Sequence, residues 1–154
     1  MTSTVGVVVL TQGTRPADLH RALASIQAQR EVDLDVVVVG NGWQPVDLPA
    51  GVRGHGLPEN LGIPAGRNAG VGLVNGEFLL FVDDDAALLG DDFLIRGLAK
   101  FREDPKLGVL QPRVVSTDGS APTRWIPRIR KGDSARSSHA FSLWEGVVFA
   151  RREA

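Results

Sequence analysis

Three consecutive aspartates, Asp83-Asp84-Asp85, follow directly on the apolar run Phe78-Leu79-Leu80-Phe81-Val82. Adjacent carboxylates repel one another, and burying them unpaired is costly. A hard divalent cation is a natural partner for them, and a cation held there could in turn hold a diphosphate. A plainer reading competes. Aspartates after a strand often form a turn or cap the next helix, and Asp84, the middle residue, is as readily a solvated side chain as a ligand.

The elements around the aspartates decide how much weight they bear. The apolar run reads as a buried strand, and an open α/β sheet binds its ligands beyond the carboxyl ends of its strands. Val5 to Leu10 is β-branched and apolar, a buried first strand. In the polar loop Thr11-Gln12-Gly13-Thr14-Arg15-Pro16, Thr14 can cap a helix and Pro16 suits its first turn. Leu19, Ala22, Leu23 and Ile26 then recur at helical spacing. Leu34 to Val39 predicts a second buried strand ending in the turn Gly40-Asn41-Gly42-Trp43, and a short strand follows near Val52 to Leu57. The small residues of Ala65-Gly66-Arg67-Asn68-Ala69-Gly70 predict a helix packed close to a backbone or a ligand.

Beyond the aspartates, Asp91 and Asp92 favour a helix start by charge against its dipole, with Leu94, Leu98 and Phe101 as its apolar face. Leu107 to Val115 predicts a strand that Pro112 pushes to a sheet edge. Thr117 to His139 is polar and basic, with Arg124, Arg128, Arg130, Lys131 and Arg136, and reads as a surface loop. Phe141 to Ala150 resumes strand character. Strands alternating with helices predict an α/β fold, a mainly parallel sheet with helices on both faces.

A chain of 154 residues fits one domain, residues 1–154, with a real core. The formal net charge of −1 gives no bulk attraction to nucleic acid or anionic membrane. The chain has no cysteine, which excludes disulfides, thiolate metal sites and a thiol nucleophile, and fits a cytoplasmic protein. No apolar stretch is long enough to span a bilayer, and the N-terminus lacks a charged signal-peptide start. His20 reads as a solvated helix residue, His55 sits in a glycine-rich strand or turn, and His139, at the end of the basic loop, could approach a diphosphate or metal but is more readily a surface side chain.

Four segments in order resemble one family. The first strand running into Thr11, the turn Asn41-Gly42, the stretch Glu59-Asn60-Leu61-Gly62 with Ala65-Gly66-Arg67-Asn68-Ala69-Gly70, and Gly76-Glu77 leading through the strand to Asp83-Asp84-Asp85 are similar to the N-terminal part of family 2 glycosyltransferases of the GT-A fold. The resemblance covers nearly the whole chain. It implies transfer of a sugar from a nucleoside-diphosphate sugar donor to an acceptor hydroxyl, metal-dependent and inverting. It further implies a D-x-D motif in which Asp83 contacts the ribose or shares the metal, Asp85 coordinates Mn²⁺ or Mg²⁺, and Asp84 borders the nucleotide. Thr11, Gln12, Gly13 and Arg15 would line the nucleotide pocket with Asn41 and Gly42, and Arg67 would lie near the base or a phosphate with Asn68 beside it. Arg67 as a structural ion-pair residue is the alternative.

Two departures matter. Family members commonly carry an acidic residue in the second turn, where this chain has Gly40. Trp43 could supply a stacking face for the base instead, or simply plug the edge of the core. The segment that usually holds the general base is missing after Arg152, so the expectation is a truncated chain that binds donor and transfers poorly, or a non-catalytic diphosphate-binding remnant, with self-association through an exposed sheet edge. Glu145 precedes the expected place of the base and is not assigned that role. Phosphoryl-transfer families with similar aspartates put an acidic motif at the first strand, which here ends in Thr11-Gln12-Gly13. A dinucleotide-binding oxidoreductase would need a G-x-G-x-x-G there.

Overall fold

In the computed structural model, which describes residues 3–120, 136–140 and 142–154, strand β1 (Thr4–Thr11) is buried along almost its whole length. Its valines fill both faces, so it needs cover on each side, and it lies inside the sheet. The strand order is β3-β2-β1-β4-β6-β5. Strands β2 (Asp33–Gly40) and β4 (Phe78–Asp83) flank β1 in parallel. The edge strand β3 (Val52–Gly56) pairs in parallel with β2. Strand β6 (Val147–Arg151) runs antiparallel to β4, and β5 (Val109–Leu110) runs antiparallel to β6. The sheet is therefore mixed, with a parallel core.

Helices cover both faces. Helix α1 (Pro16–Gln27) turns Leu19, Ala22, Leu23 and Ile26 to the sheet, the spacing of one helical stripe. Helix α3 (Phe93–Glu103) does the same with Leu94, Leu98 and Phe101. Both pack on the face that carries Val5, Val7, Val9, Leu80 and Phe149. Phe78, Phe101 and Phe149 close this layer, with ring centroids 4.9–6.0 Å apart. The buried Gln29 joins the two helices: its Oε1 accepts from Leu94 N at 3.0 Å and its Nε2 donates to Gly90 O at 2.8 Å.

Helix α2 (Gly62–Val71) covers the opposite face, where Val8, Leu10, Val37 and Val39 lie. Its two buried residues are glycines. A Cβ on Gly70 would stand 2.5 Å from Val8 Cγ1, and one on Gly66 2.6 Å from Leu10 Cδ1. The small residues thus serve close approach of helix to sheet.

Four features differ from expectation, the first being that the last strand, read over Phe141 to Ala150, is β6 from Val147 to Arg151. Arg15, not Thr14, holds the cap position of α1, with Pro16 at the helix start and no side-chain capping bond. The strand expected over Leu107 to Val115 shrinks to two residues at the sheet edge, because Pro112 has no N–H to give to a ladder. Asp91 and Asp92 do precede α3, but their carboxylates pair with Arg30 and Arg96 rather than with helix N–H groups. Arg124, Arg128, Arg130, Lys131 and Phe141 lie outside the described residues. Among the described residues no helix is long and apolar enough to cross a membrane.

Candidate functional site

Chain order places β2 on one side of β1 and β4 on the other. The strand order thus reverses beside β1, the switch point where α/β sheets leave a crevice at their carboxyl ends. A cleft of about 250 Å³ opens there, lined by residues that include Leu10, Thr11, Gln12, Asn41, Asp83 and Asp84. Helices α1 and α2 both begin at its rim, with Thr14 and Arg15 from one and Gly62 and Ile63 from the other. Their positive dipole ends gather at this end of the sheet.

Register assigns the three aspartates different surroundings. Leu10 pairs with Asp83, which sets Thr11 level with Asp84 across the two strands. The Thr11 hydroxyl donates to Asp84 Oδ2 at 2.6 Å and accepts from Gly13 N at 3.0 Å. Arg15 Nη2 donates to the other oxygen, Asp84 Oδ1, at 2.6 Å, while its Nη1 pairs with Asp85 Oδ2. Asp84 is buried with both oxygens satisfied. This corrects the reading of Asp84 as a solvated residue: it anchors the β1–α1 loop. Asp83 N donates to Gly146 O, and Asp83 O accepts from Ala86 N in the turn that the aspartates form.

Asp83 faces Arg67. The guanidinium Nη2 donates to Asp83 Oδ1 at 2.7 Å and to the Glu145 carbonyl at 2.5 Å, and the group lies 5.9 Å from the Phe81 ring centroid. The Arg67 side chain is 13% exposed, and its Nε has no partner among the described residues. Burial pushes the Asp83 carboxyl above its ordinary range; the Arg67 pairing opposes this and only partly offsets it. The ion-pair alternative for Arg67 is therefore its geometry here.

Asn41 is buried and spends its amide on the chain. Its Nδ2 donates to Asn60 Oδ1 at 2.8 Å and to Gly62 O at 3.2 Å, and its Oδ1 accepts from Leu61 N at 2.8 Å. It fastens the loop that starts α2. Asn60, which also lines the cleft, was visible in Glu59-Asn60-Leu61-Gly62 but carried no assigned role; its place depends on this contact across 19 residues.

Trp43 does not line the cleft. Its indole packs against the core and under Gly13, where a Cβ would stand 2.4 Å from Trp43 Cδ2. This packing favours the edge-plugging alternative over the stacking one. Gly13 has φ 74°, open to glycine and strained for other residues. Gly42 (φ 76°) backs onto Asn60, and Asn68 is exposed on α2 away from the cleft lining. A Cβ on Gly40 would lie 1.9 Å from Trp43 O, so the turn is closed to the acidic residue expected from the resemblance.

Among the described residues no group of three or more acidic or histidine side chains could hold a metal by itself. Asp83 Oδ2 and Asp85 Oδ1 have no partner among those residues. One carboxylate oxygen from each residue is the kind of donor that a Mg²⁺- or Mn²⁺-like cation would take beside phosphate and water ligands.

A family model described as Glycosyl transferase family 2 matches residues 6–151. No curated protein matches the chain by sequence. Among solved structures, S. aureus TarS 1-349 is 20% identical with a TM-score of 0.65, over 96% of this chain and 47% of that one. The same protein in complex with UDP gives a TM-score of 0.69 at 20% identity, over 94% and 46%. The mannosyltransferase PcManGT from Pyrobaculum calidifontis, in complex with GDP-Man and Mn²⁺, is 19% identical with a TM-score of 0.66, over 99% and 46%. The fold is therefore that of the GT-A structures, and the chain spans just under half the length of these matched chains.

Proposed function

The chain belongs to glycosyl transferase family 2, and from that membership we propose that residues 1–154 form one GT-A domain that binds the nucleoside-diphosphate sugar donor of a glycosyltransferase. The observation that supports this most is the cleft at the β1/β4 switch point, which ends on Asp83 and Asp84 with two helix N-termini at its rim. The neighbours with UDP, UDP-GlcNAc, or GDP-Man and Mn²⁺ nominate the donor class.

The reaction is transfer to an acceptor hydroxyl with inversion. The acceptor oxygen bonds to the anomeric carbon as the bond to the diphosphate oxygen breaks; the electron pair leaves with the diphosphate, and the hydroxyl proton passes to a general base, a role assigned to no residue of this chain. When bound at Asp83 and Asp85, Mn²⁺ or Mg²⁺ supplies positive charge for the departing diphosphate. Thr11, Gln12 and Gly13 shape the nucleotide wall, with Gly13 held from behind by Trp43. Asp84 acts as a positioning residue through Thr11 and Arg15. Arg67 fixes the Asp83 carboxylate, and Asn41 with Gly42 sets the opposite wall. Gly40 leaves nucleobase recognition to uncharged groups. Glu145 serves the site through its carbonyl.

The test is calorimetric titration of UDP, GDP and dTDP, each with and without Mn²⁺, on the wild type and on Asp85→Asn. The expected result is binding of one nucleotide that requires Mn²⁺ and weakens at least about tenfold in the variant, the loss of one charged ligand. Metal-independent binding, or binding unchanged in Asp85→Asn, would remove Asp85 from the site.

A further inference from the structure

The two arginines at the aspartates are held in different ways. Arg67 is 13% exposed and tied to a carboxylate, a carbonyl and an aromatic face. Arg15 has a side chain 49% exposed, borders the cleft, and makes its described hydrogen bonds only to Asp84 and Asp85. Its fork spans the two carboxylates. One of the bridged partners, Asp85, is itself 46% exposed.

This places a guanidinium on an oxygen of the residue assigned to the cation. Three carboxylates and two guanidinium groups leave one net negative charge in the cluster. A divalent cation arriving at Asp85 meets the Arg15 charge beside it, and like charges at such range repel. Arg15 sits at the cap of α1, on the rim of the cleft where a diphosphate would lie. Guanidinium suits phosphate as well as carboxylate, by the same planar fork.

We propose that Arg15 is a counter-ion that changes partners, a positioning residue whose role rests on the donor-site reading above. Without ligand it neutralises Asp84 and Asp85. When cation and nucleoside diphosphate bind together, it cedes Asp85 to the cation and carries its charge to the diphosphate. Cation alone then binds weakly, and cation with diphosphate binds as a pair.

The test separates the two halves of the exchange. MnCl₂ is titrated alone, followed by the free-ion paramagnetic resonance signal, into wild type, Arg15→Gln and Arg15→Lys. UDP, GDP and dTDP are then titrated at saturating Mn²⁺. Arg15→Gln should bind Mn²⁺ alone about tenfold more tightly, because the competing charge is gone, and the diphosphate about tenfold more weakly. Arg15→Lys keeps the charge but cannot span both carboxylates, so it should gain Mn²⁺ affinity and lose less diphosphate affinity than Arg15→Gln. Should Arg15→Gln show an altered circular dichroism spectrum, Arg15→Lys decides the matter. Mn²⁺ affinity that is unchanged or weaker in a folded variant overturns the exchange, as does unchanged diphosphate affinity in folded Arg15→Gln. A wild type that takes up none of UDP, GDP and dTDP with Mn²⁺ overturns the donor-site reading, and this proposal with it.

Discussion

Asp84 contributes to the fold and Asp85 to what arrives. Both Asp84 oxygens are spent on Thr11 and Arg15, in a buried position that leaves water no share. Asp84→Ala should therefore lower the unfolding free energy by about 2 kcal/mol, the scale of hydrogen bonds to a buried charge. Asp85→Ala, at an exposed site, should stay within about 0.5 kcal/mol. Urea denaturation of the two variants checks the contrast, and equal losses would contradict the division. The sequence carries the acidic strand end plainly, in an apolar run that stops at Asp83. It does not carry the division among the three, because that depends on the register of β1 against β4, a pairing across 73 residues. Trp43 stays open in the sequence for a related reason: an aromatic in a turn near a nucleotide loop looks the same whether it faces a ligand or supports Gly13 from below.

At the scale of elements, the turn after β2 is built around a missing side chain. Gly40 lies against Trp43 O, and Pro45 Cδ is 2.9 Å from where its Cβ would be. Restoring the family's usual acid by Gly40→Asp should cost about 3 kcal/mol through overpacking against rigid backbone. Chemical denaturation would measure it, and a variant as stable as wild type would show that the turn can open. Helix α2 was legible from its small residues, and α1 and α3 from their apolar stripes, since those patterns are local. The direction of β6 was not. Its valines and Phe149 would suit either orientation, and only its ladder with β4 makes it antiparallel.

Across the whole molecule, the end of the sheet opposite the cleft is fastened by Asp35. Its carboxylate accepts from Asn75 N and Nδ2, both at 2.8 Å, and pairs with Arg53, which also donates to Leu73 O. Desolvation pushes the Asp35 carboxyl up, but the Asn75 bonds and Arg53 outweigh it, and it lies below the ordinary range. The folded state thus holds the ionised form better than the unfolded state does. Stability from this group is fully present above the unfolded value of about 3.9 and is lost as pH falls through the lower folded value. Denaturation midpoints followed from pH 6 downwards, at steps of about one unit, should fall less steeply in Asp35→Asn than in wild type. Parallel curves would remove Asp35 from the acid sensitivity.

Arg67 grips Glu145 by its main-chain oxygen. Such a contact is indifferent to which side chain the gripped residue carries. The side chain at position 145 can change without touching this bond, while position 67 needs a long side chain whose terminal nitrogen, here Nη2, reaches both Asp83 and that carbonyl. An aligned family would therefore display one half of this contact as a constant letter and the other as noise.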